Sequence, residues 1–289
     1  MKPKGFDKFR EKLPALRGKR FVLLPIFTLS WVILIFLALF GFLRLSTDIT
    51  LQISGINFNW LVPILGFLLI EFGGLLLAFQ MWYWRDRMKA KYQQTAYQRI
   101  FFFGWTGILC MIFLGFFQIV PLIFSNPSLN SIDSIRFFNQ PLSQFWFADT
   151  AIFDIIRIIS GITIAVVGVA TVARALLTFG IDYMTVVYLY FPEESTIQNH
   201  KIYSVLRHPA YAALIYISFA GILINFSLYS IIFFLFYLFG FLLHIRKVEE
   251  KELLQRFGES FETYRKQVPA ILVRPRQWKT YFKFLIGKE

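Results

Sequence analysis

Long apolar segments dominate this chain of 289 residues and restrict the folds that it can adopt. They are residues 21–43, 60–82, 100–124, 152–178 and 210–246. A helix needs roughly 20 apolar residues to cross the hydrocarbon layer of a bilayer, where every backbone N–H and C=O must be bonded within the protein. These segments therefore predict an all-α, polytopic membrane protein.

The segment 210–246 is too long for a single span. The polar sequence Asn225-Phe226-Ser227 divides it, which predicts two helices joined by a tight turn. We therefore expect about six transmembrane helices. We also expect three regions: a basic cytosolic segment (1–20), a three-helix membrane portion (21–150) and a functional core with C-terminal cytosolic helices (151–289).

The composition supports this class. The chain is 57% hydrophobic and 16% charged, whereas a soluble domain has roughly 25% charged residues. Its net charge of +13 lies in short segments beside the apolar segments, which argues against a nucleic-acid partner. Cys110 is the single cysteine, so no intrachain disulfide can form, and the three histidines are too scattered to indicate a metal site.

Basic residues predict the orientation in the membrane. Residues 1–20 hold eight Lys or Arg, 83–99 hold five, and the tail from Arg246 holds eleven, whereas 44–59 and 125–151 hold one each, Arg44 and Arg136. Cytosolic loops carry the excess of Lys and Arg. We therefore expect a multi-pass protein of the plasma membrane or endoplasmic reticulum with both termini in the cytosol.

Charged and aromatic residues mark the start of the predicted hairpin. Pro209 suits the first turn of a helix, which places Arg207 and His208 at a helix N-terminus that attracts anions. Tyr203 and Tyr211 flank them with aromatic faces that suit a purine or a sulfonium. The alternative is an interfacial pair that reaches toward phosphate headgroups, with belt tyrosines around it.

A second charged cluster follows the hairpin. Arg246 and Glu250 are four residues apart, which places them on one face of an α-helix. Gly258 is a candidate C-terminal cap, and a short helix at 260–267 is closed by Pro269. An ordinary solvated helix face is the alternative interpretation of the glutamates.

The order of these motifs resembles that of the integral-membrane methyltransferases, which include isoprenylcysteine carboxyl methyltransferases and phospholipid methyltransferases. The resemblance covers about 195–275. Lys201 and Ser195 depart from it, since glycine and, in the prenylcysteine enzymes, histidine are usual there. The motifs are, in order, Tyr-x-x-x-Arg-His-Pro-x-Tyr (203–211), a helical hairpin, Arg-x-x-Glu-Glu-x-x-Leu (246–253), Phe-Gly-Glu (257–259), Tyr264 and Val268-Pro269.

The resemblance implies that S-adenosyl-L-methionine binds at the cytosolic surface beneath a cap of C-terminal helices. A lipophilic or prenylated acceptor would enter from the membrane lipids. Arg246 would orient the polar end of the acceptor. Glu250 would assist proton removal from an amine or thiol acceptor, whereas a carboxylate acceptor needs positioning alone. The implied cofactor-binding residues are Tyr203, Arg207, His208, Tyr211, Glu249 and Tyr264.

Two other functions remain open. Membrane sterol-type reductases share an Arg-His-Pro hairpin and use NADPH, but they tend to have asparagine after the proline, where this chain has Ala210. A membrane scaffold without a cofactor is the second, and the intact charged motifs argue against it. For the methyltransferase interpretation, the favoured acceptor is an isoprenylcysteine carboxylate or a similar lipid group, and the alternative is a phospholipid amine.

Ionisable residues also lie within the apolar segments, where charge is costly. Glu71 would either line a substrate path or be a neutral carboxyl packed against a neighbouring helix beside Gly73-Gly74. Asp154 and Arg157 are expected to neutralise each other, and Arg174 is expected to extend toward the inner membrane surface.

Overall fold

A computed structural model describes residues 3–48, 52–53, 56–57, 61–117, 141–143 and 151–288. These residues are helical apart from turns, short connections and one antiparallel pair, Gln52–Ile53 with Ile56–Asn57. The α-helices, numbered here in chain order, are α1 (Phe6–Glu11), α2 (Leu23–Asp48), α3 (Leu61–Tyr83), α4 (Arg85–Tyr92), α5 (Ala96–Phe117), α6 (Ala151–Phe179), α7 (Ile181–Met184), α8 (Val187–Tyr190), α9 (Pro209–Asn225), α10 (Leu228–His244), α11 (Glu250–Phe257), α12 (Glu259–Gln267) and α13 (Trp278–Leu285).

Within the described residues, three helical segments are long and apolar enough to cross a membrane: Gly18–Ala38, Ala151–Phe179 and Leu228–Phe257. Leu68–Tyr83 and Pro209–Asn225 are shorter apolar helices. The predicted all-helical membrane class is therefore confirmed, and the count of six spans stays a prediction. Most of the predicted loop at 125–151 lies outside the described residues.

The predicted hairpin is present as α9 and α10. Phe226 turns the chain in the left-handed region, at a φ of 48°. The Ser227 side chain caps α10 by accepting a hydrogen bond from the Ser230 amide, at 3.3 Å. Because an N-cap hydroxyl satisfies one of the unpaired amides of the first turn, this serine fixes where α10 begins.

Asp154 and Arg157 form the expected ion pair, with 3.0 Å between Arg157 Nη2 and Asp154 Oδ1. Arg157 Nη1 also donates to the carbonyls of Leu223 and Ile224, the latter at 2.6 Å. The last carbonyls of a helix have no partner within it. Arg157 therefore joins the end of α9 to α6.

Glycines allow close approach between neighbouring helices. A Cβ at Gly168 of α6 would lie 2.7 Å from Ile217 Cγ1 and 3.0 Å from the Ala213 carbonyl oxygen, both on α9. A Cβ at Gly107 of α5 would lie 2.4 Å from the carbonyl oxygen of Gly74 on α3. Contacts of this kind hold membrane helices together, because small residues let backbones meet.

Glu71 is buried, at 5% exposure, and its carboxyl interacts electrostatically with Tyr237 of α10. Gly74, one turn further along α3, is in contact with α5. These contacts agree with a carboxyl packed between helices. The alternative role of Glu71 in a substrate path stays a prediction.

The basic N-terminal segment packs on the protein. Lys8 and Lys12 both pair with Glu194, at 3.1 and 2.7 Å, and Lys12 lies over the Phe191 ring. Phe9 of α1 is buried in a core cluster with Tyr97 and Phe101 of α5. The sequence predicted an orientation signal here and gave no indication of these contacts.

The glycine contact between α3 and α5 predicts a selective effect of added methyl groups. Gly107→Ala should destabilise the protein by about 1–3 kcal/mol, because the new Cβ would meet backbone atoms that cannot rotate away. Gly73→Ala is the matched control, since a Cβ there meets nothing within 4 Å. Thermal unfolding in detergent measures both; equal melting temperatures for the two variants would contradict this packing.

Candidate active site

The candidate site lies where three parts of the chain meet: the short 3₁₀ helix Lys201–Ser204 with the start of α9, the junction of α10 with α11, and the residues that follow α12. The Arg207 and His208 amides donate to the carbonyls of Pro269 and Ala270, at 2.9 and 3.0 Å. These backbone bonds fix the segment after α12 against the start of α9.

A π-helical turn, Ile245–Glu249, joins α10 to α11. Such a turn contains one more residue than an α-helical turn, so it shifts the faces of the residues that follow, and π turns are frequent at functional sites. Here the turn directs two consecutive glutamates, Glu249 and Glu250, toward His208.

His208 lies between these two carboxylates. Its Nδ1 is 3.3 Å from Glu249 Oε1, and its Nε2 is 3.2 Å from Glu250 Oε1. The imidazole is buried, which by itself disfavours its charged form. The negative charges and hydrogen bonds of the two glutamates outweigh the burial and raise the pKa of His208 to about 9. His208 is therefore an imidazolium at neutral pH.

Arg207 is partly buried, with its side chain 9% exposed, and its guanidinium makes four hydrogen bonds within the protein. Nη2 and Nε donate to Glu250 Oε1, at 2.5 and 3.2 Å. Nη1 donates to the carbonyls of Arg265, at 2.8 Å, and Val268. The anion at the start of α9 in this structure is thus the chain's own Glu250.

Three tyrosines surround the cluster. The Tyr264 hydroxyl donates to the Tyr203 carbonyl at 2.6 Å, and both residues are buried. The Tyr211 ring is 5.1 Å from that of Phe241 and 6.0 Å from His208, and it lies beside the Glu249 carboxylate. Tyr203 and Tyr264 therefore connect the chain segments, whereas Tyr211 forms an aromatic wall next to a carboxylate.

The Tyr211 hydroxyl lies beside the Glu249 carboxylate, and the buried Oε2 of that carboxylate has no hydrogen bond of normal geometry among the described residues. A buried polar atom without a partner is costly. This oxygen is therefore available to accept a hydrogen bond from a bound molecule.

Arg246 is exposed, whereas Glu250 is buried. The sequence placed them on one face by their spacing of four residues, but the structure brings only Glu250 into the buried cluster. Of the eight predicted site residues, seven thus gather around the buried cluster and Arg246 lies at the surface.

One connection was missed by the sequence reasoning. Arg85, at the start of α4, pairs with Glu252 of α11 at 2.5 Å, and Arg256 pairs with the same carboxylate at 2.9 Å. Glu252 therefore ties the N-terminal half of the chain to the helix that begins with Glu250. The sequence feature that could have indicated this role of Glu252 is its position, two residues after the paired glutamates.

Residues 161–255 match the model of the isoprenylcysteine carboxyl methyltransferase (ICMT) family. The resemblance seen in the motifs is confirmed for this segment, which contains the Arg207-His208 and Glu249-Glu250 pairs and ends before Tyr264. The match and the apolar helices indicate an integral membrane methyltransferase. No curated protein and no solved structure matches the chain.

The charge of His208 predicts how stability depends on pH. The pKa of His208 is about 9 in the folded protein, against an ordinary value of 6.5. The imidazolium therefore stabilises the folded protein fully below pH 6.5, and this stabilisation is lost as pH rises through 9. The loss is on the order of 3 kcal/mol. Melting temperatures between pH 6 and 10 should fall accordingly.

His208→Gln should flatten this dependence, and His200→Gln, at an exposed histidine, should leave it unchanged. A parallel fall in all three proteins would show that another group is responsible.

Proposed function

We propose that the chain transfers a methyl group from S-adenosyl-L-methionine to the carboxylate of a prenylated cysteine or a similar lipophilic acid, at the cytosolic face of a membrane. The observation that carries the proposal is the buried cluster of His208 between Glu249 and Glu250, held by Arg207, within the segment that matches the methyltransferase family. The distribution of Lys and Arg favours the cytosolic side for this cluster.

The residues present fit S-adenosyl-L-methionine at Glu249. Its unpartnered Oε2 would accept a hydrogen bond from the amino group of the cofactor, and the nearby Tyr211 ring offers an aromatic face to a sulfonium. When bound, the cofactor would supply an activated methyl group for transfer to the acceptor oxygen, with S-adenosylhomocysteine as the leaving thioether.

Arg207 is better suited to position the site than to bind the cofactor's carboxylate. Four hydrogen bonds to Glu250, Arg265 and Val268 already engage its guanidinium. We propose that Arg207 and His208 hold Glu250, while Tyr203 and Tyr264 hold the loop on which Arg207 stands. Arg246, exposed at the end of α10, would attract an anionic acceptor at the membrane surface.

The state of Glu250 favours an acceptor that is already ionised. One of its oxygens accepts hydrogen bonds from Arg207 Nε, Arg207 Nη2 and His208 Nε2. A carboxylate stabilised in this way is a weak base, whereas a phospholipid amine must lose a proton before it attacks. A carboxylate needs no such step.

Cofactor binding tests the site. S-adenosyl-L-methionine or S-adenosylhomocysteine should raise the melting temperature of the purified protein, and NADPH should not. Glu249→Gln should weaken the binding of S-adenosyl-L-methionine about ten- to a hundredfold, as expected for the loss of one charged hydrogen bond. Glu259→Gln removes the same charge from an exposed position and should bind normally.

A shift with NADPH alone would support a reductase, and no shift with any of the three would overturn the enzyme proposal.

Acceptor assays test the substrate class. With labelled S-adenosyl-L-methionine, an N-acylated S-prenylcysteine should be methylated. The matching amide, which lacks the carboxylate, and phosphatidylethanolamine should not. Labelling of phosphatidylethanolamine alone would reassign the acceptor to a phospholipid amine.

A further inference from the structure

A cavity of about 370 Å³, open to solvent on one side, lies between the C-terminal end of α6, the short helix Lys201–Ser204 and the last residues of the chain. Three basic side chains line it, Arg174, Lys201 and Lys288, and its other lining residues include no Asp or Glu. Positive charges that converge on one concave surface attract anions. None of the predicted methyl-transfer residues lines this cavity.

Arg174 is the best-fixed of the three cations. It is partly buried, its Nε donates to the Leu285 carbonyl at 2.9 Å, and it has no carboxylate partner within the described parts of the chain. Gly287 lies against it at a φ of 81°, and a Cβ there would be 2.7 Å from Nη2. A planar guanidinium held in this way suits the paired oxygens of a phosphate group.

The free carbonyls at the C-terminal end of α6 carry partial negative charge and tend to repel an anion from the cavity. Lys4 reduces this effect, since its Nζ donates to the carbonyl of Thr178, a residue that lines the cavity. The packed N-terminal segment thus adds a fourth positive charge near the cavity.

The surroundings of the cavity suit a lipid. Leu177, which lines it, is 61% exposed on a helix apolar enough to span the membrane. On α13 and just after it, Trp278, Phe282 and Ile286 are exposed at intervals of four residues. Lys279 and Lys283 are exposed on the same helix. This apolar and basic pattern is typical of helices that lie in the membrane interface.

We propose that the cavity binds a phosphate group, presented by an anionic phospholipid whose acyl chains lie along Leu177 and the exposed apolar side chains of α13. Basic pockets beside membrane helices bind such headgroups. Lys201 is two residues from Tyr203, so an occupied cavity would also steady the loop that carries Arg207.

The test compares two double variants of the full chain that lose the same charge. Arg174→Gln/Lys288→Gln removes two cavity cations, and Arg87→Gln/Lys91→Gln removes two exposed cations of α4, which does not line the cavity. Short-chain phosphatidylglycerol, titrated into detergent-solubilised protein and followed by native mass spectrometry, should bind the cavity variant about tenfold more weakly than the control. Phosphatidylcholine should bind both variants alike.

Equal losses in the two variants would overturn the proposal, because general surface attraction would then explain the binding. If the Arg174 variant does not fold, Lys201→Gln/Lys288→Gln tests the same cavity without breaking the bond to Leu285. A titration with inorganic phosphate distinguishes free phosphate from a lipid headgroup. If phosphate binds as tightly as phosphatidylglycerol, the cavity is a phosphate site and the proposal that it binds a lipid is wrong. Failure here leaves the methyl-transfer proposal intact, since the cofactor assays read a different cluster.

Discussion

One oxygen of Glu250 holds the C-terminal third of the protein together. It accepts hydrogen bonds from Arg207 and His208, more than forty residues earlier in the chain and separated from it by the apolar hairpin of α9 and α10. Arg207 extends the connection through the carbonyls of Arg265 and Val268. The start of α9, the start of α11 and the end of α12 are therefore fixed by one set of charged hydrogen bonds. The loss of either side would leave a buried charge without its partner, which is strongly destabilising.

The cluster holds four ionisable groups, of which His208 and Glu250 are buried, and this arrangement is tolerable because the four charges balance. Arg207 and the His208 imidazolium carry two positive charges, and Glu249 and Glu250 carry two negative charges. In a poorly solvated environment an unpaired charge is expensive, whereas a neutral, hydrogen-bonded group of charges is much less so. Glu249 Oε2 is the exception, since it is buried without a donor. Among the described residues it is the atom of the cluster that lacks a donor, which agrees with the proposed contact to the amino group of the cofactor.

The sequence predicted the parts of this arrangement that depend on pattern. Apolar length predicted the helices, Asn225-Phe226-Ser227 predicted the hairpin turn, and the Arg207-His208 and Glu249-Glu250 pairs predicted the residues that meet. It did not predict the π turn, because a local change in hydrogen bonding leaves no periodic signal, and it did not predict that Glu250 is buried while Arg246 is exposed. The packing of α1 was also missed, because its basic residues suit an orientation signal and an ion-paired segment equally well.

The C-terminal residues connect the two proposed sites. Residues 265–270 support Arg207 and His208 through backbone carbonyls. Residues 281–288 contact α6 at Thr171 and Arg174 beside the basic cavity. Between them, the Tyr216 hydroxyl of α9 donates to the Ile271 carbonyl at 2.6 Å. A membrane lipid bound at Arg174 would therefore act on the same stretch of chain that holds the proposed methyl-transfer cluster. Since this stretch is fixed at one end by the cluster and at the other by α6, an anionic membrane would favour the ordered form of both ends together.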